Sequence, residues 1–215
     1  MTDTNKLKSY EKLSKSLIAK FAARGFAGYY CNTKEEAAEL ALSLIKPGSS
    51  ISWGGSETIT QCGLMKLLRE KSEDFILLDR KTAVTPEEKD AMYLKHMASD
   101  YFLMSSNAIT MNGELINIDG NGNRVACLIK GPKNVIVIAG MNKLSSSVDE
   151  GINRSFNLAA PPNAERLGLT TPCGRFGKCT DCLEDTCMCS QIVITRMSRE
   201  KGRIKIILVG EELGY

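Results

Sequence analysis

Short apolar runs alternate with segments that carry apolar residues at helical spacing, and this alternation limits the fold more than any other feature. Val135–Ile138 is an unbroken apolar run with the character of a buried strand, and Ile204–Val209 is a second strand-like run near the end of the chain. Leu7–Phe21 repeats apolar residues at the spacing of an amphipathic helix. Strands that alternate with helices predict an α/β domain in which helices flank a mostly parallel sheet.

Local signals predict where several elements begin and end. Thr85–Glu88 has the residues of a capping box with proline at the first helical position, so a helix should start there. A second helix, capped at Ser147, should stop before Pro161-Pro162 because proline breaks a helix interior. Asn112-Gly113 inside an apolar stretch predicts a hairpin with a type I′ turn. The single histidine, His96, falls within a predicted helix and is expected to be partly exposed.

A dense group of cysteines is the strongest chemical signal in the chain. One short stretch contains five of the eight cysteines, namely Cys173, Cys179, Cys182, Cys187 and Cys189. Thiolates are preferred ligands of zinc and of iron–sulfur clusters, and the Cys179–Cys182 step lets two sulfurs reach one centre. Three interpretations are open at this point: a metal or cluster site, a redox or disulfide switch, and inert thiols.

The position of this segment predicts an insertion outside the sheet. Residues 170–190 lie between Pro161-Pro162 and the apolar run Ile192–Ile194. We therefore expect a cysteine-rich knuckle on the rim of a single domain that spans residues 1–215, with the ligand pocket elsewhere. The remaining cysteines stand alone in apolar surroundings and are predicted to be small core residues: Cys31, Cys62 and Cys127.

The composition is that of an ordinary globular domain and does not indicate a nucleic-acid partner. Hydrophobic residues make up 43% of the chain and charged residues 25%, and the net charge is only +3. No apolar run approaches the ~20 residues that a membrane-spanning helix needs. The polar start, Met1–Lys6, lacks the apolar core of a secretory signal. The sequence thus predicts a cytoplasmic protein, in which a cysteine group more often binds metal or does redox work than forms structural disulfides.

Two glycine-rich loops follow predicted strands and are candidates for binding a ligand. Gly54–Thr58 opens a helix, so its N–H groups and the Ser56 hydroxyl could hold a phosphate or carboxylate; equally, Ser56 could serve only as the helix cap. Asp119–Arg124 sets a carboxylate and a guanidinium beside permissive glycines, a combination that can clamp an anionic ligand or simply form good turns. The second loop lacks the distal glutamate of a calcium loop, which excludes calcium.

Several blocks, taken in order, resemble the LUD-domain (lactate utilization protein) family in its cysteine-bearing single-domain form. These blocks are Ser52–Thr58, Ser106–Thr110, Gly113–Leu115, Asp119–Val125, Gly131–Lys133 and Val137–Lys143. The resemblance extends over roughly residues 10 to 210 and is most specific from Asn107 to Arg124. It implies a NagB/RpiA/CoA-transferase-like fold, shared by sugar isomerases, CoA-transferases and formyltetrahydrofolate cyclo-ligase. It also implies a connection to bacterial lactate oxidation, where such proteins accompany iron–sulfur subunits.

The same resemblance implies which cysteines act together. Its cysteine pattern falls on Cys173, Cys179, Cys182 and Cys189, with Cys187 as an extra cysteine. Four such ligands would close a tetrahedral site for zinc or for an iron–sulfur cluster, and the ligand type does not separate the two.

Two functions are therefore predicted, with a regulatory or scaffold protein as a third. The first is a redox-associated component of lactate (2-hydroxy acid) oxidation that binds a small anionic ligand, partners iron–sulfur subunits and forms a homodimer. The alternative is an isomerase- or acyl-transferase-like enzyme that acts on a phosphate- or CoA-containing ligand. The predicted ligand-binding residues are Gly54, Gly55, Ser56, Thr58, Asn107, Thr110, Asp119, Gly120, Gly122, Asn123, Arg124, Asn142 and Lys143.

Overall fold

A computed structural model describes residues 4–215, so the part of the polar start formed by Met1–Asp3 lies outside the described residues. The α-helices of the described chain are α1 (Thr4–Ala23), α2 (Lys34–Ser43), α3 (Glu57–Gln61), α4 (Leu64–Glu70), α5 (Pro86–Met97), α6 (Asn123–Ile129), α7 (Val148–Arg154), α8 (Ala160–Arg166) and α9 (Pro172–Phe176). The strands are β1 (Ala27–Cys31), β2 (Ser50–Trp53), β3 (Ile76–Leu78), β4 (Tyr101–Met104), β5 (Ala108–Thr110), β6 (Leu115–Asp119), β7 (Asn134–Gly140), β8 (Leu144–Ser145), β9 (Gln191–Thr195) and β10 (Ile204–Val209).

Six strands form a parallel sheet in the order β1-β10-β7-β4-β2-β3, which confirms the predicted α/β class with a mostly parallel sheet. The run Val135–Ile138 lies in β7, near the middle, and is fully buried. Successive side chains of a strand point to opposite faces, so Val135 and Val137 pack with α1 and α6, while Ile136 and Ile138 pack with α2, α3 and α4. A strand covered on both faces requires such an unbroken apolar run.

Four further strands form a second sheet in the order β8-β5-β6-β9; the sequence predicted its hairpin and the apolar run Ile192–Ile194 of β9, but not the sheet. That hairpin, between β5 and β6, is confirmed, but its turn is not type I′. A type I′ turn needs positive φ at both central residues. Gly113 has φ +91, whereas Asp181 is the one non-glycine residue with positive φ in residues 4–215, so Asn112 does not meet the requirement.

The predicted stop of the helix before Pro161-Pro162 was wrong. A π-helical segment, Ser155–Ala159, joins α7 to α8, and both prolines fall in the first turn of α8. Proline has no backbone N–H to donate and fits poorly into the interior of an α-helix. It is tolerated in the first turn of a helix and directly after a wider, π-helical turn. The π segment also brings Ser155 to the cleft described below.

Burial corrects one further prediction and confirms another. His96 is only 6% exposed, and its Nε2 lies 3.0 Å from the Leu78 carbonyl oxygen, so the expected partial exposure was wrong. Burial lowers the pKa of His96 and favours the neutral ring. The three isolated cysteines are buried as predicted, and burial raises the pKa of Cys31 and of Cys127 to about 11. Within residues 4–215, no helix has the length and apolar character needed to cross a membrane.

Candidate functional site

A cleft of about 500 Å³ opens beyond the ends of β2, β4 and β7, at the carboxyl edge of the parallel sheet. The segment after β2 contributes Gly55 and Ser56, the segment after β4 contributes Ser105 and Ser106, and the turn after β7 contributes Lys143. Because the carboxyl ends of parallel strands meet at one edge, residues that are distant in sequence line the same space.

Most of the predicted ligand-binding residues line this cleft, namely Gly55, Ser56, Thr58, Asn107, Asp119, Gly120, Asn123, Arg124 and Lys143. The others do not: Gly54, Thr110, Gly122 and Asn142. Gly54 lies under the Arg124 side chain, and Thr110 hydrogen bonds within its own hairpin. Gly122, at φ +77, precedes α6, and Asn142 Oδ1 accepts from a main-chain N–H 3.1 Å away. These four residues support the cleft walls but do not line the cleft themselves.

Arg124 holds one wall of the cleft together. Its Nη2 donates to Asn107 Oδ1 at 3.0 Å and to the Ile118 carbonyl at 2.6 Å. Its Nη1 donates to Asn117 Oδ1 and to a main-chain carbonyl, and its Nε lies 3.3 Å from Asp119 Oδ2. All three guanidinium nitrogens thus face protein acceptors. Arg124 therefore contributes charge and fixed geometry to the cleft rather than free hydrogen-bond donors.

Lys143 places a buried amine in the cleft. The residue is 4% exposed, and its Nζ donates to the main-chain oxygen of Tyr215 at 2.6 Å. Burial, followed by the charges of Arg154 and Arg124, lowers the pKa of Lys143 to about 7. Among the residues described, no Asp or Glu side chain pairs with Lys143. Near neutral pH the amine is thus divided between its charged and neutral forms.

Two arginines at the site were not predicted to bind a ligand. Arg154, at the end of α7, donates from Nη1 to the Asn107 carbonyl at 2.7 Å and from Nε to the Asn142 carbonyl at 3.0 Å. Burial lowers the pKa of Arg154, and no carboxylate pairs with it in the described chain. Arg80 lines the cleft beside Gly55. The sequence offers no signal for Arg154.

The cysteine segment forms a second wall of the cleft, whereas the sequence predicted the pocket elsewhere. Cys187, Met188 and Cys189 line the cleft, although the segment lies outside both sheets as expected. A β-carbon added to Gly120 would lie 3.0 Å from Met188 Cα. The second glycine-rich loop therefore permits the cysteine segment to approach, and Gly120 has a steric role that turn chemistry alone does not reveal.

All five cysteines of this segment also line a smaller cavity of about 140 Å³, behind the cleft wall: Cys173, Cys179, Cys182, Cys187 and Cys189. All are free thiols, and burial together with the neighbouring cysteines raises the pKa of Cys189 to about 12. In residues 4–215, no three His, Cys, Asp or Glu side chains are grouped as ligands for a metal ion. The thiols as arranged here do not fit a metal or cluster, so the predicted site stays a prediction.

Three solved structures are similar to this chain at low sequence identity. A DUF162 family protein from Deinococcus radiodurans is 13% identical, with a TM-score of 0.49 over 94% of this chain and 98% of that one. Ribose 5-phosphate isomerase A from Methanocaldococcus jannaschii is 18% identical, with a TM-score of 0.36 over 62% of each chain. The delta subunit of eIF2B from Chaetomium thermophilum is 16% identical, with a TM-score of 0.38 over 66% of this chain and 57% of that one.

Comparison with curated proteins gave no match. A family model described as the LUD domain matches residues 14–209, which include both glycine-rich loops, Lys143 and the cysteine segment. The match thus spans both walls of the cleft and most of the sequence. The chain belongs to the LUD-domain family.

Proposed function

We propose that this protein binds a small 2-hydroxy acid such as lactate in the cleft, as a redox-associated component of the oxidation of such acids. The lactate part of the proposal rests on the family, and the anionic character of the ligand rests on charge. Three cationic side chains lie in or directly behind the cleft wall: the buried Lys143 and the partly buried Arg124 and Arg154. They face one buried carboxylate, Asp119, which is already paired with Arg124.

This excess of positive charge favours an anionic ligand. Burial of a charge without a partner costs several kcal/mol, and a bound anion offsets part of that cost. A carboxylate near Lys143 would also favour the protonated amine and would strengthen its own binding. The serine hydroxyls and asparagine amides of the lining can orient such a ligand by hydrogen bonds.

The size of the cleft favours a second candidate, an isomerase- or acyl-transferase-like enzyme with a phosphate- or CoA-containing ligand. A cleft of about 500 Å³ falls in the range of roughly 300–1,000 Å³ typical of small-molecule sites. Lactate would fill only a small part of it. A sugar phosphate or a second molecule beside the acid would use more of the space.

Isothermal titration calorimetry distinguishes the two candidates. We expect heat of binding with lactate and 2-hydroxybutyrate, and a Kd raised at least about tenfold in Lys143→Met, because the substitution removes the buried positive charge. Lys66→Met is the matched control, since Lys66 Nζ is on an exposed side chain of α4. Binding of ribose 5-phosphate or CoA without binding of any 2-hydroxy acid would reject the first candidate and support the second.

We also propose that Cys173, Cys179, Cys182 and Cys189 take up zinc or an iron–sulfur cluster after a local rearrangement, and that iron–sulfur subunits are partners. The support is that these thiols already line one cavity. Cys189 is shared between that cavity and the cleft. A centre formed there would lie beside the bound acid.

A further inference from the structure

Lys143 is the one lysine that lines the cleft in the described chain. Building on the proposed binding of a 2-hydroxy acid, we propose that Lys143 is a nucleophile that forms an imine with the corresponding 2-oxo acid. The inference deepens the proposed function, because a 2-oxo acid is the oxidised form of such a ligand.

The position of the amine is fixed by its surroundings. Lys143 ends a 3₁₀ turn that directly follows β7, an inner strand of the parallel sheet. The preceding residue, Asn142, is held on both sides, since its carbonyl accepts from Arg154 Nε at 3.0 Å and its Oδ1 accepts from Leu213 N at 3.1 Å. The amine itself is anchored to the Tyr215 main-chain oxygen. A nucleophile held in this way needs little further ordering before it reacts.

The charges around the amine favour its reactive form. A lysine becomes nucleophilic when it is desolvated or lies beside another cationic group, and both conditions hold here. The positive charges of Arg154 and Arg124 act on the amine, and Asp119 is paired with Arg124. A neutral amine can donate one N–H to the Tyr215 oxygen and still keep its lone pair for a carbonyl carbon.

The Thr58 hydroxyl, which donates to the Leu213 carbonyl at 3.3 Å, borders the same small space as the amine. A β-carbon added to Gly214 would lie 2.5 Å from Thr58 Oγ1 and 3.5 Å from Lys143 Nζ, so both groups border the same small space. Gly214 has φ +59 and leaves that space open. Thr58 and Lys143 also both line the cleft.

The proposed step needs no oxidant and no reductant. The lone pair of Nζ attacks the carbonyl carbon, a C–N bond forms, and a proton moves from nitrogen to the carbonyl oxygen to give a carbinolamine. The carbinolamine hydroxyl then leaves with a second proton as water, and a C=N bond remains. The positive charges of Arg154 and Arg124 attract the carboxylate of the acid while the amine reacts.

Reductive trapping tests the inference. Wild-type protein is incubated with pyruvate and sodium cyanoborohydride, which adds hydride to an imine and makes the bond permanent. We expect one adduct per chain, with the mass of pyruvic acid less one oxygen atom, located at Lys143 by peptide mass spectrometry. Exposed lysines of the same molecules, Lys66 among them, serve as an internal control, and Lys143 should be modified at least about tenfold faster.

Variants extend the test. Lys143→Arg keeps the charge but cannot form the imine under these conditions, so the adduct should disappear, whereas Lys66→Arg should leave it unchanged. If Lys143→Arg fails to fold, the comparison of lysines within the wild-type protein still decides the question. Modification spread evenly over exposed lysines would overturn the inference. So would calorimetric binding of pyruvate without modification of Lys143, and in that case the proposed binding function would stand.

A second ligand distinguishes failure of the imine inference from failure of the proposed function. Glyceraldehyde 3-phosphate carries a carbonyl and a phosphate in place of the 2-oxo carboxylate. If it modifies Lys143 while pyruvate neither binds nor reacts, the assignment of a 2-oxo acid is overturned together with the proposed function. If pyruvate alone modifies Lys143, both are supported.

Discussion

The two walls of the cleft are held by opposite kinds of contact. The loop wall, formed by Gly54–Thr58 and Asp119–Arg124, is organised around a buried guanidinium with acceptors at all three nitrogens. The cysteine wall, formed by residues 173–189, has an exposed ion pair between Arg175 and Glu184 at 3.2 Å. Buried charge networks are costly to break, and exposed pairs are not. We therefore expect the loop wall to keep its geometry and the cysteine wall to be displaced more easily.

Replacing one arginine in each wall should give the largest difference in stability between the two walls. Arg124→Met leaves the buried Asp119 carboxylate without its cationic partner, although Gly122 N still donates to it, and removes a donor from Asn107 and from Asn117. We therefore expect a loss of about 3–5 kcal/mol in the free energy of unfolding. Arg175→Met breaks an exposed ion pair with Glu184 and a cation–π contact with the exposed Phe176 ring, and the expected loss is about 0.5–2 kcal/mol. Urea denaturation measures both, and equal losses would contradict the contrast between the walls.

The second prediction concerns pH and the amine beside the loop wall. The pKa of Lys143 is about 7 in the folded protein, against 10.5 as its ordinary value. Between these values the unfolded chain holds a proton on Lys143 that the folded chain has released, so the contribution of Lys143 to the free energy of unfolding rises with pH in this window. The slope approaches about 1.4 kcal/mol per pH unit. Below about pH 7 both states are protonated and this contribution is flat.

Urea denaturation of Lys143→Met should therefore lack the rise, while Lys66→Met, altered at an exposed lysine, should keep it. Arg154 and Arg124 keep their charge throughout this range and do not produce the slope. Parallel pH profiles for the wild type and Lys143→Met would show that the pKa of the Lys143 amine is not lowered in the folded protein.

The contrast between the walls also explains what the sequence could predict. The parallel sheet was predicted because each strand is a continuous local run such as Val135–Ile138, and the loop wall was predicted because glycine patterns follow β2 and β6. The second sheet was missed, apart from its hairpin and the apolar run that forms β9. It needs β9 to pair with β6, far earlier in the chain, and β8 is only Leu144–Ser145. Such pairings leave little local pattern.

The errors have the same origin in distant contacts. The approach of Met188 to Gly120 joins segments that no local pattern connects, so the cysteine segment was placed on the rim. His96 is buried because its ring reaches the Leu78 carbonyl across two elements. The sequence predicted that the helix would stop at the prolines of α8. It does not stop, because a π-helical segment before them accommodates prolines that the interior of a regular α-helix would not.

Metal loading should affect the cysteine wall and leave the loop wall unchanged. If the four predicted cysteines bind zinc or a cluster, anaerobically purified protein should contain about one metal centre per chain, and chelation should lower Tm by a few degrees. Elemental analysis together with thermal unfolding measures this. Cys182→Ser should lose the metal, whereas Cys62→Ser, altered in the core, should keep it. Less than about 0.2 equivalents of zinc or iron in anaerobic protein would contradict the proposed site.

The smallest expected effect on stability comes from the point where the walls meet. In Gly120→Ala the added methyl group would lie 3.0 Å from Met188 Cα, so one wall must move by a few tenths of an ångström. Because the loop wall is held by Arg124, the cysteine wall should move, at a cost below about 1 kcal/mol. Alkylation of Cys187 and Cys189 by iodoacetamide should then become faster, which mass spectrometry of timed samples would show.

Gly63→Ala is a control for the added methyl group, since nothing lies within 4 Å of that position, although its φ of +80 adds local strain. A loss of stability in Gly120→Ala as large as in Arg124→Met, with unchanged alkylation, would mean that the two walls form one rigid unit.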